Sequence, residues 1–565
     1  MPQMMVHRLL AFLLITAGAL IVYGQTVHYS FHFDDYYFIT ENLKIRDVTD
    51  FKDVWTSLGK PSRLIGMYSF ALNYHFHQND VFGYHLVNIL VHLINGFLVW
   101  WFVLLTLKPG TGKDDRRELI ALSTALMFVC HPLNTQAVTY ISQRFASLAT
   151  VFYLAALCLY IQGRLTAGRK RIIAFVFSLL AAVLGMFTKQ IVLTLPVMIL
   201  LYEYCFLGEG RKLKAVRWPQ ALVLLALFLV VPTLHSWDFS RLFDVRIESR
   251  SHDGDIITSY NYMLTQFRVI PVYIRMLFFP VGQTLDYDFA VSNRFWVWPV
   301  WSGMLFILSI IVYGVFSLKR RVYSGFGILW FFLTLSIEST FIPIYQVIFE
   351  HRCYLPGVGF LFAVNIFLSG QLKSRRKYLA CIGLIIAVLA LSAHKRNQVW
   401  ENETTLWQDI KLKAPGKLRP YIHLGVSYIM KGEYDLALNE FNQALLINAD
   451  DFKVYHNRGI AIDKKGDYQN ALDDYTKAIA LNGRAAVSYS NRANIFVRLK
   501  EYNKAFRDYS KAIETGDYPD AYQGRGNLYF MAGRYEEALQ DFIRAKELGS
   551  PIDDRDIEKV KKLIR

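Results

Sequence analysis

Two adjacent carboxylates, Asp34 and Asp35, stand in the run FHFDDYYFITEN, directly after the first hydrophobic stretch of the chain. Acids at a membrane edge are costly unless they are solvated, paired or employed. Phe31, Phe33, Tyr36, Tyr37 and Phe38 surround them. Such a setting can raise a carboxylate pKa, so that one acid accepts a proton while its neighbour holds a metal or a hydrogen bond. The complementary set is cationic. Arg63, Arg144, Lys189 and Arg352 all fall at outer ends of apolar runs, and Arg352 belongs to the short segment Glu350-His351-Arg352. An arginine there can fork onto phosphate oxygens, with Glu350 orienting it. Each cation alone reads as an interfacial side chain snorkelling toward water. Together, on the face that carries the acids, they point to an anionic ligand.

Three histidines join the candidate set: His85, His131 and His351. His92, seven residues after His85 on the same helix face, reads as a helix-packing hydrogen-bond partner. A catalytic zinc needs three convergent ligands, and neither HExxH nor a similar spacing occurs, so a divalent metal is left open rather than assigned. No Gly-rich nucleotide loop, PLP-lysine motif or GxSxG appears, and a free nucleotide substrate is not expected.

The elements that must position these residues divide the 565-residue chain in two. Up to residue 394, apolar runs of spanning length recur at 7–24, 84–107, 119–138, 145–163, 172–188, 191–207, 219–235, 296–318, 322–342, 355–372 and 378–394, about eleven spans in all. Residues 261–280 are also apolar but carry Arg268 and Arg275, and they are expected to form a re-entrant or interface-lying helix. Residues 9–23 resemble a signal peptide, but the following Tyr-Gly-Gln-Thr is a poor cleavage site, so an uncleaved first helix is expected.

The net charge of +16 does not indicate nucleic-acid binding, because the basic residues form short clusters between spans. These include Lys108, Lys113, Arg116 and Arg117, then Arg211, Lys212, Lys214 and Arg217, then Lys319, Arg320 and Arg321. Such clusters mark the cytoplasmic side. The loops 25–83, 132–144, 236–295 and 343–354, and everything after 394, then share the opposite side. Five scattered cysteines give no disulfide framework.

From about 395 onward the composition is that of a water-exposed helical domain with a fixed period. Tyr421, Tyr455 and Tyr489 are 34 apart and Tyr522 follows after 33. Gly425, Gly459, Ala493 and Gly526 recur in phase, as do Phe441, Tyr475, Tyr509 and Phe542. This is the tetratricopeptide helix-turn-helix pattern, in which small residues let paired helices approach and aromatics fill between them. The expected fold class is therefore all-α, a polytopic membrane domain over 1–394, a linker over 395–417, four repeats over 418–550 and a capping helix over 551–565. The repeats are expected to bind a peptide or protein. Lys453, Asn457 and Asn491 suit a clamp for a C-terminal carboxylate, but Asp520 and Gly524 in the next repeat do not complete it.

The ordered blocks FDDYYFITEN, RLIGMYSFALNY, YHLVNILVH, HPLNTQAVTYISQR, FTKQIVLTLP and EHRCYLP, followed by the repeats, resemble the transmembrane and tetratricopeptide-repeat O-mannosyltransferase family, within the lipid-dependent GT-C glycosyltransferases. The resemblance implies a GT-C-like membrane domain and a sugar carried on a polyprenyl phosphate, moved with inversion to an acceptor hydroxyl on the non-cytoplasmic face. It also implies Asp34 as general base with Asp35 beside it, and Arg63, Lys189, Glu350 and Arg352 around the lipid phosphate. Animal members carry acids where this chain has Gln136, Ala146 and Gln190. The compact loops suggest a bacterial inner membrane with repeats in the periplasm or outside the cell; an endoplasmic-reticulum membrane with luminal repeats is the alternative. Two other readings are a non-catalytic scaffold that recruits envelope proteins through its repeats, and an oligosaccharide ligase or polymerase.

Overall fold

The computed structural model describes residues 2–49, 63–107, 116–208, 248–250, 256–340, 342–344 and 346–564. The expected span 219–235, Trp55, and the loop cations Lys108, Lys113, Arg211, Lys212, Lys214 and Arg217 lie outside the described residues. The chain forms two units, Met1–Thr405 and Leu406–Arg565.

The first unit is helical. Its helices are α1 (Pro2–Tyr23), α2 (Leu64–His77), α3 (Val81–Thr106), α4 (Arg117–Val129), α5 (Arg144–Leu165), α6 (Gly168–Met186), α7 (Leu195–Tyr202), α8 (Ser259–Phe278), α9 (Trp298–Arg320), α10 (Val322–Leu335), α11 (Tyr354–Gln371) and α12 (Arg375–Gln398). Glu248–Arg250 and Ile256–Thr258 pair as a two-stranded antiparallel ribbon before α8. Among the described residues, seven helical segments are long and apolar enough to cross a bilayer: Arg8–His28, Val81–Thr106, Ile141–Leu165, Gln190–Leu207, Trp298–Arg320, Glu350–Gln371 and Arg375–Gln398.

Three of the other expected spans are helical but differ in length or flanking charge. The run 119–138 yields only the 13-residue α4, because Pro132 has no N–H to continue a helix and the His131 ring accepts the Leu133 N–H instead. Thirteen residues rise about 20 Å, short of the hydrocarbon thickness. The run 322–342 yields the 14-residue α10, whose end is followed by the polar stretch Ser336-Ile337-Glu338-Ser339-Thr340. The third, α6, opens on Arg169, Lys170 and Arg171. Residues 261–280 form α8, a continuous helix that tolerates Pro271.

Close packing in this unit depends on small residues, as expected where lipid supplies no hydrophobic drive. A Cβ on Gly359 would lie 2.4 Å from the Trp330 side chain, and one on Gly327 would lie 2.4 Å from the Gly359 carbonyl. Helices α10 and α11 therefore meet backbone to backbone, with Trp330 Nε1 donating to the Leu355 carbonyl at 3.0 Å. His92 is a packing residue, its ring 2.6 Å from Tyr354 Oη and 3.1 Å from the Val129 carbonyl.

The chain passes from the first unit to the second within α13 (Glu403–Lys413), an eleven-residue helix in the segment expected to be a linker. Four antiparallel pairs follow: α14 (Leu418–Met430) with α15 (Tyr434–Ile447), α16 (Phe452–Lys464) with α17 (Tyr468–Leu481), α18 (Ala486–Arg498) with α19 (Tyr502–Thr515), and α20 (Pro519–Met531) with α21 (Tyr535–Glu547). The chain ends in α22 (Asp554–Ile564). The small-residue logic holds at atomic distance. A Cβ on Gly425 would meet the Phe441 ring at 2.4 Å, on Gly459 the Tyr475 ring at 3.0 Å, and on Gly526 the Phe542 ring at 2.8 Å.

Candidate functional site

The two acids have different environments. Asp35 is fully buried. Its Oδ2 accepts the His32 N–H at 3.0 Å and its Oδ1 accepts the Ser142 N–H at 2.6 Å, fastening the first loop to the start of α5. Burial pushes its pKa from 3.8 up to about 7, against the opposing pull of those hydrogen bonds and of His32. Asp34 is only partly buried. Its backbone N–H donates to Tyr140 Oη at 3.0 Å, and Tyr140 stacks on Trp400 at 5.4 Å. Phe33, immediately before it, has φ +46°, a left-handed conformation that bulky residues seldom adopt. Strain of this kind persists where the surroundings over-determine the backbone.

The cations also separate into two kinds. Arg144 is fully buried, and its donors are taken by neutral oxygens: Nε by Asn88 Oδ1 at 2.6 Å, one terminal nitrogen by Asn73 Oδ1 at 2.6 Å, the other by the Tyr84 carbonyl at 2.9 Å. Its guanidinium lies 4.6 Å from the Phe70 ring centroid. It staples α2 and α3 to α5. Arg63, Lys189 and Arg352 instead form one electrostatic group, in which Lys189 feels both arginines. Arg63 lies over the rings of Phe145 and Phe38, at 5.0 and 5.5 Å. The Ile65 N–H donates to the Phe187 carbonyl at 3.0 Å, which joins the start of α2 to the turn that carries Lys189.

Arg352 is buried and donates to Tyr262 Oη at 2.9 Å and to the Val347 and Gln346 carbonyls, while its Nε has no partner among the described residues. The acid beside this group was not singled out from sequence. Glu338 Oε1 lies 2.7 Å from Lys189 Nζ. Burial lowers the Lys189 pKa, as do Arg63 and Arg352, while the Glu338 carboxylate pulls it back up. In the sequence Glu338 is a lone acid within the expected span 322–342, and no spacing ties it to the cations.

Glu350 is buried and accepts from Tyr287 Oη at 2.7 Å and from Gln283 Nε2 at 2.9 Å. The His351 N–H donates to Gln136 Oε1 at 2.7 Å, tying this segment to the 131–144 loop. His351 Nδ1 and Gln136 Nε2 are buried without hydrogen-bond partners among the described residues. The other two histidines are engaged in packing: His85 Nε2 is 3.0 Å from the Tyr29 carbonyl and His131 Nε2 is 3.1 Å from the Leu277 carbonyl. Among the described residues, no group of three His, Cys, Asp or Glu side chains is placed to hold a metal ion.

The contacts thus link the loop of Asp34 to the 131–144 loop, and that loop to Glu350-His351-Arg352, with Arg63, Lys189 and Glu338 grouped around Arg352. A partly exposed carboxylate can take a proton, and a group of cations in which the buried Arg352 Nε has no partner among the described residues can receive an oxyanion. Fold and site define an all-α protein with several membrane-spanning helices and tetratricopeptide repeats. A family model for the tetratricopeptide repeat matches residues 418–451 and 452–484.

Along most of its length the chain is similar to protein O-mannosyl-transferases. One from Drosophila melanogaster, Tmtc3, is 23% identical over 80% of this chain and 56% of its own length. One from Caenorhabditis elegans is 25% identical over 65% of this chain and 51% of its own. The chain spans about half the length of these curated relatives. Among solved structures, the crystal structure of MamA is 24% identical, matching 28% of this chain and 87% of its own, with a TM-score of 0.23.

Proposed function

We propose that the chain is an integral-membrane glycosyltransferase that moves a sugar from a polyprenyl-phosphate donor to a protein hydroxyl on the non-cytoplasmic face. The observation that carries this reading is the division of labour in the acid pair, with Asp35 consumed as a backbone staple and Asp34 left partly exposed. The names of the relatives support the transferred group and the protein acceptor.

In this mechanism the acceptor oxygen attacks the anomeric carbon as its proton passes to Asp34. The bond from that carbon to the phosphate oxygen breaks, its electron pair stays on the phosphate, and the anomeric centre inverts. A sugar phosphodiester carries one negative charge and the departing lipid phosphate approaches two. The cations Arg63, Lys189 and Arg352 therefore stabilise the transition state more than the ground state, which is what accelerates the step. The repeats hold the acceptor protein or a partner that presents it. Intact-mass glycoproteomics of cells carrying Asp34→Asn in place of the wild-type chain should show loss of a hexose from a subset of exported proteins. Identical profiles in both strains would overturn the reading.

A further inference from the structure

Arg63, Lys189 and Arg352 lie within electrostatic reach of one another in the first unit, and the Glu338 carboxylate interacts with all three. Lys189 and Glu338 pair at 2.7 Å with their side chains 9% and 12% exposed. Arg352 is buried, yet the hydrogen bonds it makes go to neutral oxygens and its Nε remains unused among the described residues. His351, which also feels Lys189, Arg352 and Arg63, keeps a buried Nδ1 without a hydrogen-bond partner among the described residues. Uncompensated charges in a low-dielectric site are expensive, so a cation group built for a ligand needs an internal counter-ion while the ligand is away. Glu338 lies just beyond the end of α10 in a polar stretch rather than inside a packed helix, so its carboxylate can move without unravelling a span.

We propose that Glu338 is an exchangeable counter-ion: the donor phosphate displaces it from Lys189, and it returns to Lys189 when the lipid phosphate leaves. Glu338 has this role only if Lys189 and its neighbours hold phosphate, as proposed above. The exchange keeps the site ordered when empty and prevents the more highly charged product phosphate from remaining bound. Removing the negative charge therefore tightens phosphate binding and slows turnover, the opposite of what loss of a ligand-binding residue does.

The test is titration of a short prenyl monophosphate, citronellyl phosphate, into the full chain in detergent micelles, followed by calorimetry. Glu338→Gln should bind on the order of tenfold tighter than wild type, equivalent to about 1.4 kcal/mol. Glu338→Asp, which keeps the charge but shortens its reach, should fall between the two and guards against a fold defect in the first variant. Lys189→Gln should lose binding. In turnover, Glu338→Gln should lower KM and kcat together. Equal or weaker binding by both Glu338 variants, with wild-type binding and its loss in Lys189→Gln preserved, overturns the exchange and leaves the phosphate reading standing. Failure of wild type to bind overturns both. Loss of binding together with thermal stability in both Glu338 variants makes the residue structural and also overturns the exchange.

Discussion

At the residue scale, Asp35 shows how neighbouring acids acquire opposite duties. Its two oxygens serve two backbone N–H groups, of His32 and Ser142, and burial holds its pKa near 7. An asparagine offers one carbonyl oxygen and turns an NH2 toward the remaining donor. Asp35→Asn should therefore cost about 1–3 kcal/mol of stability, measured as a fall in thermal midpoint in micelles. The pH dependence has a definite sign. A carboxyl whose folded pKa is raised favours folding in its protonated form, so its contribution is complete below the ordinary value of 3.8 and is lost as pH rises through about 7. The gap in midpoint between wild type and Asp35→Asn should narrow from about pH 5 to about pH 8. The adjacency of the acids was legible in the sequence, but their division was not. It depends on contacts with Ser142 and Tyr140, more than a hundred positions away. Arg144 teaches the same lesson, because only the fold reveals that Asn73, Asn88 and the Tyr84 carbonyl occupy its donors.

At the element scale, the repeats were read from small and aromatic residues, and those positions do pack as that pattern requires. A second periodic feature joins each repeat to the one before it. Arg458, Arg492 and Arg525 each grip an aspartate sixteen residues on, Asp474, Asp508 and Asp541, through Nε and a terminal nitrogen. The other terminal nitrogen reaches back to Asn442, Thr476 or Ser510 on the preceding repeat. The same rung in the first repeat is Glu440, served by Lys411 from α13. The helix found in the expected linker thus completes the ladder.

These charged forks are largely shielded, with Arg492 17% and Asp508 10% exposed, so they exceed an ordinary surface pair in value. Arg492→Ala and Asp508→Ala should each cost about 1–3 kcal/mol, and the double variant less than their sum. Arg498→Ala, which breaks a half-exposed pair with Asp463, should cost under about 0.5 kcal/mol. Hydrogen exchange in Ala486–Arg498 and Tyr502–Thr515 reads all three. The spans were less legible than the repeats. Apolar runs such as 119–138 and 322–342 look continuous by composition, while Pro132 and the stretch from Ser336 to Thr340 end their helices early.

At the scale of the whole molecule, the membrane unit brings together side chains from widely separated segments, with Arg63, Lys189, Glu338 and Arg352 in one electrostatic group. In the sequence Arg144 stands with Arg63, Lys189 and Arg352, and only the contacts set Arg144 apart from the other three. Glu338 escaped notice because a single acid within an expected span carries no pattern; its significance comes from the 2.7 Å approach to Lys189. The central claim is that Asp34 accepts the acceptor's proton while the cations hold the donor. Purified full-length chain in liposomes, supplied with a polyprenyl-phosphate hexose and an acceptor protein, tests it by the single-turnover rate of hexose transfer. Asp34→Asn should lower that rate by about 10²–10⁴-fold while donor binding stays intact. Transfer by Asp34→Asn at the wild-type rate would contradict the account.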